Sequence, residues 1–328
     1  MYIERIDPAS PDRRIIAIAA DLIREGRLVA FPTETVYGLG ANALDAAAVE
    51  RIYLAKGRPA YNPLIVHVAD ASRAHDVAAA WNDVAEALAS KFWPGPLTLV
   101  LPKRPNVPHN VTAGLPSVAV RVPSHPVAHA LLAAAGVPIA APSANRSTEV
   151  SPTSAGHVAK SLGDSVDLIL DGGSTSVGIE STVLDLTARV PTLLRPGTIS
   201  LPQLEAVAGE VHLAQQLSGA AARPSPGMLD KHYAPRATVV LVDAAAVIDA
   251  IERARDGGRK VGAIAMHATP SADASVTLPP DALGYASGLY DALHSLDDAG
   301  CDVIVVEKVP SEPSWMGVAD RLRRAATP

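Results

Sequence analysis

The chain has 328 residues, 48% of them hydrophobic, 19% charged and 4% aromatic, with a formal net charge of −6. The length suits about two domains, and the composition is that of a folded protein, not a disordered one. The acidic balance argues against a general nucleic-acid coat, while a local basic cleft favouring an anionic small molecule remains compatible with it.

The N-terminal stretch MYIERIDPASPDRR lacks the apolar core of a signal peptide. Ser10-Pro11 reads as an N-cap followed by proline in the first helical turn. Ile15, Ile16, Ala19, Leu22 and Ile23 then form one apolar stripe, and Gly26 stops the helix. Leu28 to Phe31 reads as a strand halted by Pro32, Asp45 to Ala55 as a helix, Leu64 to Val68 as a buried strand, and Ala71 to Phe92 as one long helix. Further strands are expected at Leu97–Leu101, Val118–Val122, Val137–Ala140, Leu168–Leu170 and Thr182–Leu186, the last pairing with Thr192–Leu194 as a hairpin. The longest apolar stretch, Leu131 to Pro142, is broken by Gly136 and Pro138 and falls short of the roughly 20 residues a membrane span needs. No membrane association is expected.

Near Leu217 the pattern changes. Ser218 to Met228 lacks periodicity and holds paired prolines, the mark of a linker. After Pro235 a second rhythm begins: strand Thr238–Val242, helix Ala245–Arg255, strand Lys260–Ala265, helix Leu283–Ala299, strand Val303–Glu307. The expected fold is α/β, an open twisted mixed sheet with flanking helices, followed by a smaller Rossmann-like α/β domain. The single cysteine, Cys301, builds neither a disulfide nor a zinc cluster, which fits a reducing, cytoplasmic setting.

Several short segments carry groups suited to chemistry, each with a plainer reading beside it. Pro32 to Gly40 puts hydroxyls and glycines just past a strand, where ligands are commonly met; taken alone, it reads as a turn with capping threonines. Lys56-Gly57-Arg58-Pro59 ends a helix. Cations there suit the macrodipole, yet two pre-oriented cations also suit a polyphosphate. His67 in an apolar strand is a core histidine or a ligand. Arg121, centred in an apolar strand, needs a partner, either a structural carboxylate or a substrate's. Ala140 to Asn145 offers small residues with hydroxyl and amide donors, Ser151-Pro152 resembles a cap, Gly178 to Thr182 delivers Ser181 beside a strand, and Arg195 sits at a strand end. There is no G-x-x-x-x-G-K-[ST], no G-x-S-x-G and no H-E-x-x-H.

Taken in order, FPTETVYGLGANA, KGRPAYNPLIVHV, FWPGPLTLVL, VAVRVPSHP, APSANRS, SPT, VGIESTV and LLRPGTIS resemble the YrdC-like domain of threonylcarbamoyl-AMP synthases, over about Ile15 to Ser200. SPGMLDKHYAP and the unit after it resemble the linker and C-terminal domain of the longer members. The resemblance implies a catalytic domain over 1–215, a linker that covers the active site over 216–236, and a C-terminal α/β domain over 237–328. It implies that Lys56 and Arg58 bind phosphate and act in catalysis, and that Arg58, Asn62, Ser117, Ser143, Ser151, Arg195 and Tyr233 hold ATP. It further implies that Thr35, His67, Arg121, Ala141 and Ser181 surround L-threonine, with no metal held by protein side chains. The implied reaction joins L-threonine, bicarbonate and ATP, with Mg2+, into threonylcarbamoyl adenylate. The product passes to a tRNA threonylcarbamoyl transferase, so any tRNA contact is indirect. Thr148 stands where the family commonly has glycine, and Leu229-Asp230 fall in a variable part of the linker. The alternatives are an RNA-binding module, a regulatory relative that kept the fold and lost catalysis, and a carbamoyl-transfer protein of the hydrogenase-maturation type, whose cysteine-rich zinc modules a single cysteine cannot supply.

Overall fold

The computed structural model describes residues 2–214, 233–267 and 272–327. In chain order the first unit contains β1 (Tyr2–Arg5), α1 (Arg13–Arg24), β2 (Val29–Pro32), β3 (Tyr37–Asn42), α2 (Ala46–Lys56), β4 (Ile65–His67), α3 (Asp83–Phe92), β5 (Leu97–Pro102) and β6 (Ser117–Arg121). It continues with α4 (Pro126–Ala135), β7 (Ile139–Ala140), α5 (Ala155–Leu162), β8 (Leu168–Asp171), β9 (Thr182–Asp185), β10 (Thr192–Arg195), α6 (Leu201–Ala208) and β11 (His212–Leu213). The second unit contains β12 (Thr238–Val242), α7 (Val247–Asp256), β13 (Val261–Ala265), β14 (Ala274–Thr277), α8 (Ala282–Asp298), β15 (Val303–Glu307) and α9 (Met316–Ala325).

The first unit is built on an 11-stranded mixed sheet in the order β1-β8-β2-β3-β7-β4-β6-β5-β9-β10-β11. Alternation along the strands feeds two cores. Val29 and Phe31 of β2 pack with α1 and α4 on one face, while Ala30 and the β3 residues Tyr37, Leu39 and Ala41 pack with α2 and α5 on the other. The expected β9–β10 hairpin is present as an antiparallel pair. Parallel pairing sets His67 of β4 directly opposite Arg121 of β6.

The second unit is a parallel sheet, β12-β15-β13-β14. α7 covers one face through Val247 and Ile251, and α8 and α9 cover the other. That second core does not stop at the unit boundary, because Val36, Val150 and Ile179 of the first unit belong to the same buried cluster as Leu289, Trp315 and Leu322. Two glycines let the backbones meet there. A Cβ on Gly178, whose φ is +78°, would strike the α8 backbone at Ser287, 2.6 Å from its Cα. One on Gly317 of α9 would lie 2.5 Å from the carbonyl oxygen of Gly197.

Several sequence expectations are corrected. Ala71 to Phe92 is not one helix. Asp70 caps a 3-10 turn over Ala71–Asp76, Ala78 then bridges to Lys103, and Asn82 caps a fresh start at Asp83 by accepting from the Ala85 N–H. The first helix is capped by Asp12, not Ser10, through the Arg14 and Ile15 N–H groups. Of Pro32 to Gly40, expected as a turn, Tyr37 onward belongs to a central strand, Tyr37–Asn42. Gly40 is there because the Phe31 ring and Ile139 occupy the space of a Cβ, at 2.8 and 2.9 Å. Most of the expected linker, 216–236, lies outside the described residues; only 233–236 are described. No described helix is long and apolar enough to cross a membrane.

Candidate active site

Most of the segments singled out in the sequence converge at one cavity in the first unit, which Tyr233 also lines. Its free volume is about 40 Å³, room for a water or so and well short of the roughly 300–1,000 Å³ of a small-molecule cleft.

One corner is built by the turn after β2. The Thr33 hydroxyl donates to the Val36 carbonyl at 2.6 Å and meets the Thr35 hydroxyl at 2.8 Å, fixing a hydroxyl-lined bend. Arg121 enters from β6. Its Nη1 donates to Thr35 Oγ1 at 2.9 Å, its Nε to the Gly95 carbonyl at 3.1 Å, and its Nη2 lies 2.7 Å from Glu34 Oε1. Glu34 is the partner an arginine in so apolar a strand required, and its other oxygen accepts from the Ser124 N–H at 3.2 Å. Beside Arg121, burial and then the neighbouring guanidinium hold the His67 pKa down to about 3, so the imidazole is neutral at any physiological pH. Its Nδ1 is buried on the cavity wall with no hydrogen-bond partner among the described residues. Such an orphan is the kind of polar atom that a ligand satisfies.

The opposite wall is cationic. Gly57, at φ +57°, caps α2 in the left-handed conformation and turns the chain. Arg58 then points to the cavity, with Nε on the Asn62 carbonyl at 3.0 Å and Nη2 on the Pro63 carbonyl at 2.8 Å. Burial lowers its pKa to about 10, leaving it charged at neutral pH. Arg195 donates to the Ser181 carbonyl and hydroxyl, both at 3.1 Å, and the Ser181 hydroxyl meets Thr98 Oγ1 at 2.8 Å. Between these walls runs the loop after β7, with Ala141 and Ser143 on the cavity surface.

Thr35, Arg58, His67, Arg121, Ala141, Ser143, Ser181, Arg195 and Tyr233 therefore share one cavity. Lys56, Asn62, Ser117 and Ser151 do not line it. The Lys56 ammonium is buried and donates to the Ser143 carbonyl at 2.6 Å and to the Asn145 carbonyl. Burial, and then the charge of Arg58, push it well below the usual lysine range. It clamps the Ser143–Asn145 loop and does not reach the cavity surface. Asn62 stands behind Arg58 and offers it a carbonyl, and its own Nδ2 is buried without a partner among the described residues. Ser117 sits at the outer end of β6, opposite Pro102. The Ser151 hydroxyl is taken by Glu180 Oε1.

Sequence reasoning gave no role to Glu34, Glu180 or Arg321. The need of Arg121 for a carboxylate pointed toward Glu34. Glu180 lines the cavity and pairs with Arg321 of α9 at 2.7 Å; no local signal joins residues so far apart. Among the described residues no cluster of three His, Cys, Asp or Glu could hold a metal ion. Both carboxylates of the site are already matched to arginines.

Comparison with known proteins covers both units. Residues 21–197 match a family model described as telomere recombination, and residues 199–327 match one described as threonylcarbamoyl-AMP synthase, C-terminal domain. The threonylcarbamoyl-AMP synthase of Pyrococcus abyssi is 47% identical over 95% of this chain and 94% of its own length; that of Bacillus subtilis is 45% identical over 99% and 96%. The crystal structure of P. abyssi Sua5 complexed with L-threonine superposes with a TM-score of 0.96 at 45% identity, covering 99% of this chain and 98% of that one. With relatives matched along nearly its whole length and both units accounted for, the chain belongs to the threonylcarbamoyl-AMP synthase family.

Proposed function

We propose that the cavity joins L-threonine, bicarbonate and ATP into L-threonylcarbamoyladenylate with release of pyrophosphate, for threonylcarbamoyladenosine formation next to the anticodon of tRNA. The observation that carries this reading is the convergence of three guanidiniums, Arg58, Arg121 and Arg195, with a neutral imidazole on one small cavity. The activity named for the full-length relatives supports it, as does the L-threonine in the solved relative.

The chemistry asks for positioning and positive charge. Bicarbonate gives up hydroxide to yield carbon dioxide. The threonine nitrogen forms a bond to that carbon and loses a proton, giving a carbamate. A carbamate oxygen bonds to the α-phosphorus, the bond from that phosphorus to the bridging β-oxygen breaks, and pyrophosphate leaves with the electron pair. The attacking group is already an anion, so no nucleophile-activating triad is required. Arg58 and Arg195 are assigned to the triphosphate, where fixed cations stabilise the charge that builds up on the departing oxygens. Arg121 with the Thr35 hydroxyl is assigned to the threonine carboxylate, and His67 and Ser181 to its orientation. Lys56 acts through the loop that it clamps. Magnesium is assigned to the nucleotide as MgATP; among the described residues no group of three His, Cys, Asp or Glu would hold it by itself. Tyr233 shifts to admit the nucleotide. Residues 1–215 are read as the catalytic domain and 216–236 as the linker to the C-terminal domain over 237–328. A separate tRNA threonylcarbamoyl transferase takes the product.

The test is pyrophosphate release by the purified chain. It should require ATP, threonine and bicarbonate together, and release that persists undiminished when threonine or bicarbonate is left out would overturn the assignment.

A further inference from the structure

Arg321 belongs to α9 in the second unit, yet its guanidinium is spent on the first. It is 1% exposed. Its Nε donates to Glu180 Oε2 at 2.7 Å, its Nη2 to the Glu180 carbonyl at 3.3 Å, and its Nη1 to the Pro196 carbonyl at 2.9 Å. The same Nη1 meets Asp320 Oδ2 at 3.1 Å. Glu180 is the carboxylate in the cavity wall, and both of its oxygens are engaged. Oε1 accepts from Ser151, and Oε2 accepts from the Tyr290 hydroxyl of α8 at 3.0 Å as well as from Arg321. Burial pushes the Glu180 carboxyl up, but the charges of Arg321 and then Arg195 outweigh it and hold the group below the ordinary range. It is therefore an anion.

An uncompensated anion in this wall would oppose a triphosphate and compete with it for Arg195, to which Glu180 is already electrostatically coupled. We propose that Arg321 is a positioning residue for the nucleotide: it cancels the charge of Glu180 and ties that carboxylate down, so that the wall meets the triphosphate as a net cation. The C-terminal domain thereby becomes an electrostatic part of the catalytic site. The inference rests on the reading that this cavity takes ATP.

The pair can be taken apart by charge. Arg321→Gln leaves a bare carboxylate, while Arg321→Gln with Glu180→Gln leaves two uncharged amides, the one at 180 isosteric with the original and the one at 321 shorter than the arginine it replaces. Removing both charges of a buried pair is generally far milder than removing one. In full-length protein, pyrophosphate release gives kcat and the apparent KM for ATP and for threonine, and a melting curve reports folding. The expected result is that Arg321→Gln raises the ATP KM at least about tenfold while kcat and the threonine KM move about threefold or less, and that the double variant recovers most of the ATP KM. A double variant as impaired toward ATP as the single one overturns the proposal; so does an unchanged ATP KM in Arg321→Gln, or an equal loss in kcat and both KM values. If Arg321→Gln does not fold, the double variant decides alone. Folded with an ATP KM near wild type, it supports the charge argument; folded with a raised ATP KM, or unfolded, it overturns it. Wild-type protein without ATP-dependent pyrophosphate release would instead sink the ATP reading itself.

Discussion

Glu34→Gln separates charge from shape at the Arg121 corner. The two side chains are 8% and 4% exposed and lie 2.7 Å apart, so the pair is well shielded from water. Glutamine keeps the length and one oxygen for Arg121 but removes the charge, and its amide nitrogen cannot accept from the Ser124 N–H that now rests on Glu34. Removing one partner of a buried pair costs about 3–5 kcal/mol. The retained oxygen offsets part of this through a charge-assisted hydrogen bond worth about 1.5–3 kcal/mol. The net loss is then about 1–3 kcal/mol, a fall in melting temperature of roughly 2–5 °C for a chain of this length. The variant also leaves Arg121 without its anion, and the threonine carboxylate supplies one. Recovery of about 1.4 kcal/mol on binding would mean about tenfold tighter threonine. Thermal unfolding with and without saturating threonine, together with a calorimetric titration, checks both halves. The variant should melt lower than wild type alone and gain more from threonine. A lower melting temperature with an equal or smaller threonine gain would refute the assignment of Arg121 to the carboxylate.

Lys56→Met strips the buried carbonyls of Ser143 and Asn145 of their donor. It should lower stability by about 1–3 kcal/mol and cut turnover in the same variant; an unchanged melting temperature with lost turnover would show that the ammonium works on substrate and not on the loop. His67 gives a pH test. Its folded pKa is about 3 against 6.5 for the free side chain, so below 6.5 the unfolded chain binds a proton that the folded chain refuses. Its contribution to stability is complete above 6.5 and is lost as pH falls toward 3, at up to about 1.4 kcal/mol per pH unit. Denaturant titrations across that range should show a slope in wild type that exceeds that of His67→Gln by close to one proton, and equal slopes would contradict the burial argument. Thr148 is exposed and holds φ at +76°. Relief of about 1–2 kcal/mol of left-handed strain, less about 0.5–1 for glycine's lost entropy, predicts that Thr148→Gly is neutral or modestly more stable. A clear drop in melting temperature would mean the hydroxyl or methyl has a job.

What the sequence disclosed depends on how local the cause is. Glycines, prolines and hydroxyls at strand ends act through neighbouring backbone, and the nine residues that meet at the cavity come almost wholly from such segments. Thr148 stands where the family commonly has glycine, and its backbone is left-handed. β3 was hidden because its two glycines read as turn formers, whereas Gly40 serves the space of Phe31 and Ile139. Lys56 and Arg58 looked alike beside one glycine, yet the chain sends one ammonium to loop carbonyls and one guanidinium to the cavity. Nothing in a linear reading separates them, because the choice is made by a loop nearly ninety residues away. The Arg321–Glu180 pair was further out of reach, with |i−j| of 141 and its arginine on a charged helix that periodicity did not pick out.

The glycines at the boundary of the two units set what kind of motion is open to them. Where main chain rests on main chain, at Gly178 against α8 and Gly317 against Gly197, no side chain can rotate aside to let the surfaces glide. Sliding of one half over the other would drive backbone into backbone at these two points, so they favour separation over shear. The same geometry warns the engineer of hybrids: a first half with so much as a methyl at position 178, or a second half with one at position 317, would hold its partner off, however well each half folds alone.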